Sequence, residues 1–194
     1  MAVTRVKTSS LLQGMPKDRS FLAGNEAYIP SDFESIATVS GTGSSGTISF
    51  TSIPGTYAHL QVRIYAKNSS ATSLYSRLNS DTGSNYAWHR LASNGTTASA
   101  GGSSTQTRMA VFGFINDIST SQPYSAIIDI LDYVNTNKYT TIRTLTGQDN
   151  NGSGEVALSS GLWQNTAAVT AIEIYAGGGN FGTESKFALY GIKG

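Results

Sequence analysis

The chain has 194 residues, with 13 basic and 12 acidic side chains, a net charge of +1, and no cysteine. The missing thiols exclude disulfides and thiolate metal centres, and near-neutral charge excludes an overall electrostatic footprint for nucleic acid. Charged residues are only 13% of the chain, about half the usual share, so the polar surface must come from Ser, Thr, Asn and Gly.

A chain of this length accommodates one domain, or a domain with an arm. No run approaches the ~20 apolar residues of a membrane span, and the N-terminus carries no hydrophobic secretion segment. Residues 1–33 differ from the rest. Arg5, Lys7, Lys17 and Arg19 outweigh Asp18 and Glu26, while Pro16, Pro30, Gly14 and Gly24 interrupt any long helix. Leu11, Leu12, Met15, Phe21, Leu22, Tyr28 and Ile29 follow no period. The segment reads as an extended arm that lies on something larger, with Arg5, Lys7, Leu11, Leu12, Lys17, Arg19 and Phe21 as its anchoring contacts.

From residue 34 the pattern is that of strands. Ile48 and Phe50 alternate with Thr and Ser, and Pro54-Gly55 marks a turn. Leu60, Val62 and Ile64 alternate with polar residues, as do Leu74 to Leu78 and Tyr86 to Leu91. Ser93 to Thr107 has no large apolar residue and reads as a solvent loop. Met109 to Ile115 is apolar with little alternation, the pattern of a strand buried on both faces. Tyr124 to Tyr133, the β-branched Lys138 to Leu145, Glu155 to Trp163, Val169 to Tyr175 and the terminal Lys186 to Lys193 complete roughly ten strands. Turn signals every 8 to 15 residues, with no helical period, predict an antiparallel two-sheet β-sandwich over residues 34–194. In the terminal strand Phe187 and Leu189 point to the core, which places that strand inside a sheet or at a subunit interface.

No catalytic constellation is visible. His59 and His89 are the only neutral-pH bases, and neither has Ser, Asp or Glu at motif spacing. Asp149, Asn151, Ser153 and Glu155 alternate oxygen ligands suited to a hard cation such as calcium. Their spacing departs from an EF-hand, and Asn-Asn-Gly is also a plain hairpin turn, which is the favoured reading. Asp129 and Asp132 are three apart and face opposite sides of a strand. Tyr75, Tyr86, Trp88 and Trp163 offer apolar faces with hydrogen-bonding tips, the makings of a sugar-stacking platform, although core and interface packing is the favoured reading. No cofactor is expected.

Several stretches resemble a family of small tailed-bacteriophage virion structural proteins, variously decoration, tail fibre-like or minor structural proteins. They are Lys7 to Gly14, Phe33 to Val39 with the Gly-rich Gly41 to Gly46, Ile48 to Pro54 with His59 to Arg63, Asn79 to Tyr86, Ser159 to Trp163, and the closing Phe187-Ala-Leu-Tyr-Gly-Ile-Lys-Gly194. The terminal motif is the most specific. The resemblance implies a non-enzymatic, jelly-roll-type module that is exposed on the particle as a capsid decoration or a tail or neck appendage. It implies assembly in the host cytoplasm, residence on the virion, other virion proteins as partners and a homotrimeric state. Neither nucleic acid nor membrane insertion is implied. Ala188, Tyr190 and Ile192, opposite the core face, are then the expected subunit contact. A host-adsorption module that binds surface glycan is the alternative.

Overall fold

The structure is a computed structural model that describes residues 32–112 and 120–194. The expected anchoring residues Arg5, Lys7, Leu11, Leu12, Lys17, Arg19 and Phe21 lie outside the described residues. The chain divides at Ser31/Asp32, two residues before the boundary read from composition.

The described body is all-β. Its strands are β1 (Phe33–Ser40), β2 (Thr47–Phe50), β3 (His59–Ala66), β4 (Leu74–Leu78), β5 (Tyr86–Ser93), β6 (Ala98–Gln106), β7 (Met109–Phe112), β8 (Tyr124–Leu131), β9 (Thr140–Asp149), β10 (Gly154–Trp163), β11 (Ile172–Ala176) and β12 (Lys186–Ile192). They form an eight-stranded sheet ordered β1-β12-β3-β8-β9-β10-β5-β6 and a four-stranded sheet ordered β2-β11-β4-β7. Every ladder is antiparallel.

Alternation explains the core. Leu60, Val62 and Ile64 of β3, Ala126, Ile128 and Ile130 of β8, and Phe187 and Leu189 of β12 turn inward from the large sheet. Ile48 and Phe50 of β2, Leu74 and Leu78 of β4, and Ile172 and Ile174 of β11 belong to the same buried cluster. This is a two-sheet sandwich, as the period-2 pattern requires.

The terminal strand lies between β1 and β3, so its backbone is paired on both sides. Gly191 within it is needed for close approach. A Cβ there would stand 2.3 Å from Cγ of the Tyr57 ring, inside any tolerable contact.

Two expectations are corrected. The Gly/Ser/Thr/Ala stretch read as a solvent loop contains β6, a nine-residue edge strand paired with β5. It is held by backbone hydrogen bonds, which need no apolar side chain. Strand β7 is an edge strand of the small sheet rather than a strand buried on both faces. Met109 and Val111 are buried and Ala110 between them only partly so; residues 113–115 lie outside the described residues.

Candidate functional site

The outer face of the eight-stranded sheet follows from the ladder registers. In one row across it, Ile127 of β8 stands opposite Leu145 of β9, Leu145 opposite Leu158 of β10, Leu158 opposite Leu91 of β5, and Leu91 opposite Ala100 of β6. Leu91 is 60% exposed, Leu145 50%, Leu158 52%, and Val156, two residues before Leu158, 54%. The other parity of the same strands points inward; toward the β9–β10 hairpin, beyond Ile142, Tyr86 and Trp163, it is mostly polar, with Ala92 and Ala157 among the polar groups. Thr144, Thr146 and Gln148 of β9, Glu155 and Ser159 of β10, and Arg90 of β5 are all buried. At this end of the sheet the usual arrangement is reversed, with hydroxyls, a guanidinium and a carboxyl inside and aliphatics outside. Burial lowers the proton affinity of the Arg90 guanidinium, and the Glu155 charge partly restores it. Gln148 Nε2 donates to the Gln122 carbonyl at 2.7 Å.

The neighbouring row is polar: Gln61, Asp129, Arg143, Ser160 and His89 stand in register on successive strands. Gln61 Nε2 donates to Asp129 Oδ1 at 2.8 Å, Arg63 Nε donates to Gln61 Oε1 at 2.9 Å, and Arg143 pairs with Asp129 at 3.6 Å. Asp132 lies past the end of β8 in a positive-φ turn (φ 52°). It pairs with Lys138 at 2.9 Å, and its N–H donates to His59 Nδ1 at 2.9 Å. Hydrogen bonds from Lys138 and Asn135 hold the Asp132 carboxyl below the usual range. The two carboxylates therefore serve separate ion pairs.

At the far end of the same face the apolar rings are covered by the chain itself. Phe33 stacks on Tyr190 at 4.7 Å, with the Arg63 guanidinium 4.9 Å from Phe33 and 5.3 Å from Tyr190. Ala188, Tyr190 and Ile192 do share the outward face, as expected, but each is partly buried. Ile192 sits between Phe33 and His59.

The four aromatics proposed as a sugar platform are not brought together. Tyr86 and Trp163 are opposite each other on β5 and β10 and are buried in the core. Trp163 Nε1 donates to Asp81 Oδ2 at 2.7 Å, and Tyr86 Oη accepts from the Leu78 N–H at 2.9 Å. Trp88 shares the inward parity of Tyr86 and packs against the core. Tyr75 belongs to the small sheet, 5.6 Å from Tyr175 and 3.9 Å below the Arg108 guanidinium. The tips of Tyr86 and Trp163 are used inside the fold and Trp88 packs against the core, so core packing accounts for these three.

The proposed cation loop is the β9–β10 hairpin turn. Asn151 and Gly152 have φ of 57° and 108°, the pair of positive values that Asn-Gly supplies. The Asn150 N–H donates to the Ser153 carbonyl at 2.7 Å, and the Asn151 N–H donates to Asp149 Oδ1 at 2.8 Å. Asp149 is exposed on the outward parity while Glu155 turns inward and is buried. Asp149, Asn151, Ser153 and Glu155 therefore do not converge, and no cluster of three metal-ligating His, Cys, Asp or Glu occurs among the described residues.

A groove of about 730 Å³ runs beside this hairpin, lined among others by Tyr65, Asn94, Ser125, Asp149, Ser153 and Val156. Among the described residues, Tyr65, 53% exposed, is the one large aromatic ring on its wall that faces solvent. Sequence reading missed both Tyr65 and the aliphatic row. The signal for the row was present as Leu145, Leu158 and Leu91 set against Thr, Ser and Arg, but only strand register shows that they line up. Comparison with family models, curated proteins and solved structures finds no match.

Proposed function

We propose that this chain is a non-enzymatic structural protein of a tailed-bacteriophage virion, anchored by residues 1–33 and exposed on the particle as a capsid decoration or a tail or neck appendage. The resemblance of its motifs suggests the setting. The observation that carries an assembly role is the exposed aliphatic row Leu91, Leu145, Leu158 with Val156 on the outer sheet face, because contiguous exposed apolar surface marks interaction sites. Its partners are other virion proteins and further copies of itself. Imaging intact particles and locating this chain tests the proposal. Copies at capsid symmetry positions, or a few at the neck or tail, are expected. A particle fraction with no copies would sink it. Deleting residues 1–30 is expected to leave a folded sandwich that no longer attaches.

The groove supports a second reading, host-glycan adsorption. Tyr65 offers a ring face for a sugar, and Asn94, Ser125, Asp149 and Ser153 offer polar groups around it. A glycan array with the full chain and with Tyr65→Ala decides this: binding lost in the variant favours it, and no binding by either excludes it.

A further inference from the structure

We propose that Asn151, at the tip of the β9–β10 hairpin, is a self-modification site: its side-chain amide is lost by cyclisation onto the Gly152 nitrogen, which leaves an acidic residue beside the groove. The inference goes beyond the assembly reading and does not rest on it.

The sequence names the candidates. An asparagine loses its amide when the backbone nitrogen of the next residue attacks its side-chain carbonyl carbon. The five-membered ring closes most readily where that next residue has no Cβ to obstruct it and rotates freely. The chain holds two Asn-Gly pairs, Asn94-Gly95 and Asn151-Gly152, and two Asn-Ser pairs, Asn68-Ser69 and Asn79-Ser80.

The fold ties down three of the four. Asn94 Oδ1 accepts from the Thr96 N–H at 3.1 Å, the Thr96 hydroxyl at 3.2 Å and the Thr97 N–H at 2.8 Å. Its attacking group is tied as well, since the Gly95 N–H donates to Ser93 Oγ at 3.2 Å. Asn68 is 2% exposed, its Nδ2 donates to the Ser70 and Gly178 carbonyls, and the Ser69 N–H donates to the Asn180 carbonyl. Asn79 Oδ1 accepts from the Thr170 and Ala171 N–H groups at 2.8 and 3.0 Å, and its Nδ2 donates to the Ala168 carbonyl at 2.8 Å. Asn151 is the contrast. It and Gly152 are exposed, and its own N–H donates to Asp149 Oδ1. Among the described residues no hydrogen bond holds its side-chain amide or the Gly152 N–H, and nothing lies within 4 Å of where a Gly152 Cβ would stand.

The chemistry needs only water. The Gly152 nitrogen gives up its proton to solvent and bonds to Asn151 Cγ; the bond from Cγ to Nδ2 breaks, and the amide leaves as ammonia with a proton from solvent. Water then opens the cyclic imide at either carbonyl, giving aspartate or the β-linked isoaspartate. Nothing is oxidised or reduced. Asp149, Gly152 and Ser153 line the groove beside the hairpin. The new carboxyl, ionised at neutral pH, joins the exposed Asp149 there and takes the net charge of the chain from +1 to zero. The β-linked product also lengthens the backbone within the turn.

Ageing of the purified full chain at mildly alkaline pH, both folded and in urea, tests the proposal by charge-resolving chromatography, ammonia release and peptide mapping. In the folded chain one acidic form is expected to accumulate with an equal amount of ammonia, mapping to Asn151 as mixed aspartate and isoaspartate. Asn94 must first open its hydrogen bonds, so it is expected to convert at least roughly tenfold more slowly. In urea the two Asn-Gly pairs are expected to convert at similar rates, because only sequence then acts. Asn151→Asp keeps a residue that accepts positive φ; it is expected to elute with the aged form and to gain no further acidic form while folded. A folded chain that stays unchanged while the urea sample converts, or one in which Asn94 converts as fast as Asn151, overturns the proposal.

Discussion

Removing the Asp81 carboxylate should loosen one corner of the sandwich by a defined amount. Asp81 lies in the connection between β4 and β5. Its Oδ2 accepts from Trp163 Nε1 at 2.7 Å and Asn85 Nδ2 at 2.9 Å, and its Oδ1 accepts from the Gly83 N–H at 2.8 Å. Trp163 is 1% exposed, so in Asp81→Ala its indole N–H has no solvent to turn to. An orphaned buried donor costs about 1–3 kcal/mol. Gly83 and Asn85 lie near the surface, where water replaces the lost acceptor at about 0.5 kcal/mol each. The expected loss is about 2–4 kcal/mol, or roughly 4–16 °C in melting temperature for a domain of this size. A double-mutant cycle with Trp163→Phe isolates the shared bond, with an expected coupling of about 1–2 kcal/mol. Partial burial raises the Asp81 pKa, but the bonds from Asn85, Trp163 and Gly83 outweigh it and leave it below the usual value. A carboxyl depressed in the folded state contributes stability above its unfolded pKa, near 4, and loses it as pH falls through the lower folded value. The gap between wild type and Asp81→Asn should therefore close in acid. Additive single and double variants in chemical denaturation, or an Asp81→Ala chain within about 0.5 kcal/mol of wild type, would refute this reasoning.

Gly191→Ala is expected to cost about 1–3 kcal/mol through overpacking, since its Cβ would fall 2.3 Å from Tyr57 Cγ. Adding Tyr57→Ala should make the pair less destabilised than the sum in urea melts, and strict additivity would rule out the clash. Gly152→Ala, at φ 108°, should cost about 1–3 kcal/mol in backbone strain. Calcium should leave the melting temperature of the wild type unchanged; a calcium-dependent rise would revive the cation loop. Burial raises the hydroxyl pKa values of Tyr86 and Tyr124. Their neutral forms stabilise the fold fully below the unfolded value near 10, and that contribution is lost as pH rises beyond it. Near-ultraviolet absorbance titration should show some tyrosines ionising only on unfolding, whereas all ten titrating together in the folded state would contradict their burial.

The sequence by itself determined the fold class and most of the strands, because period-2 alternation states which side chains leave water. Ile48 with Phe50, the Leu60, Val62, Ile64 set, and Phe187 with Leu189 were readable as core for that reason, and Asn151-Gly152 as a turn because few other pairs accept two positive φ values. Strand β6 was not legible. Its side chains bury little, and the backbone bonds to β5 that hold it depend on a neighbour's position. Burial of Tyr86 and Trp163 was the favoured reading in sequence without being forced by it, since a Trp with a bonded N–H reads the same in a core as in a sugar platform. Asp81, 82 residues away from Trp163, decides between them. The aliphatic row belongs wholly to tertiary structure. Leu91, Leu145 and Leu158 are each one leucine in an alternating strand, and alternation alone does not say which parity faces the other sheet. Register across β9, β10 and β5 fixes the parity and sets the three side by side, because antiparallel pairing locks each strand to its neighbour one residue at a time.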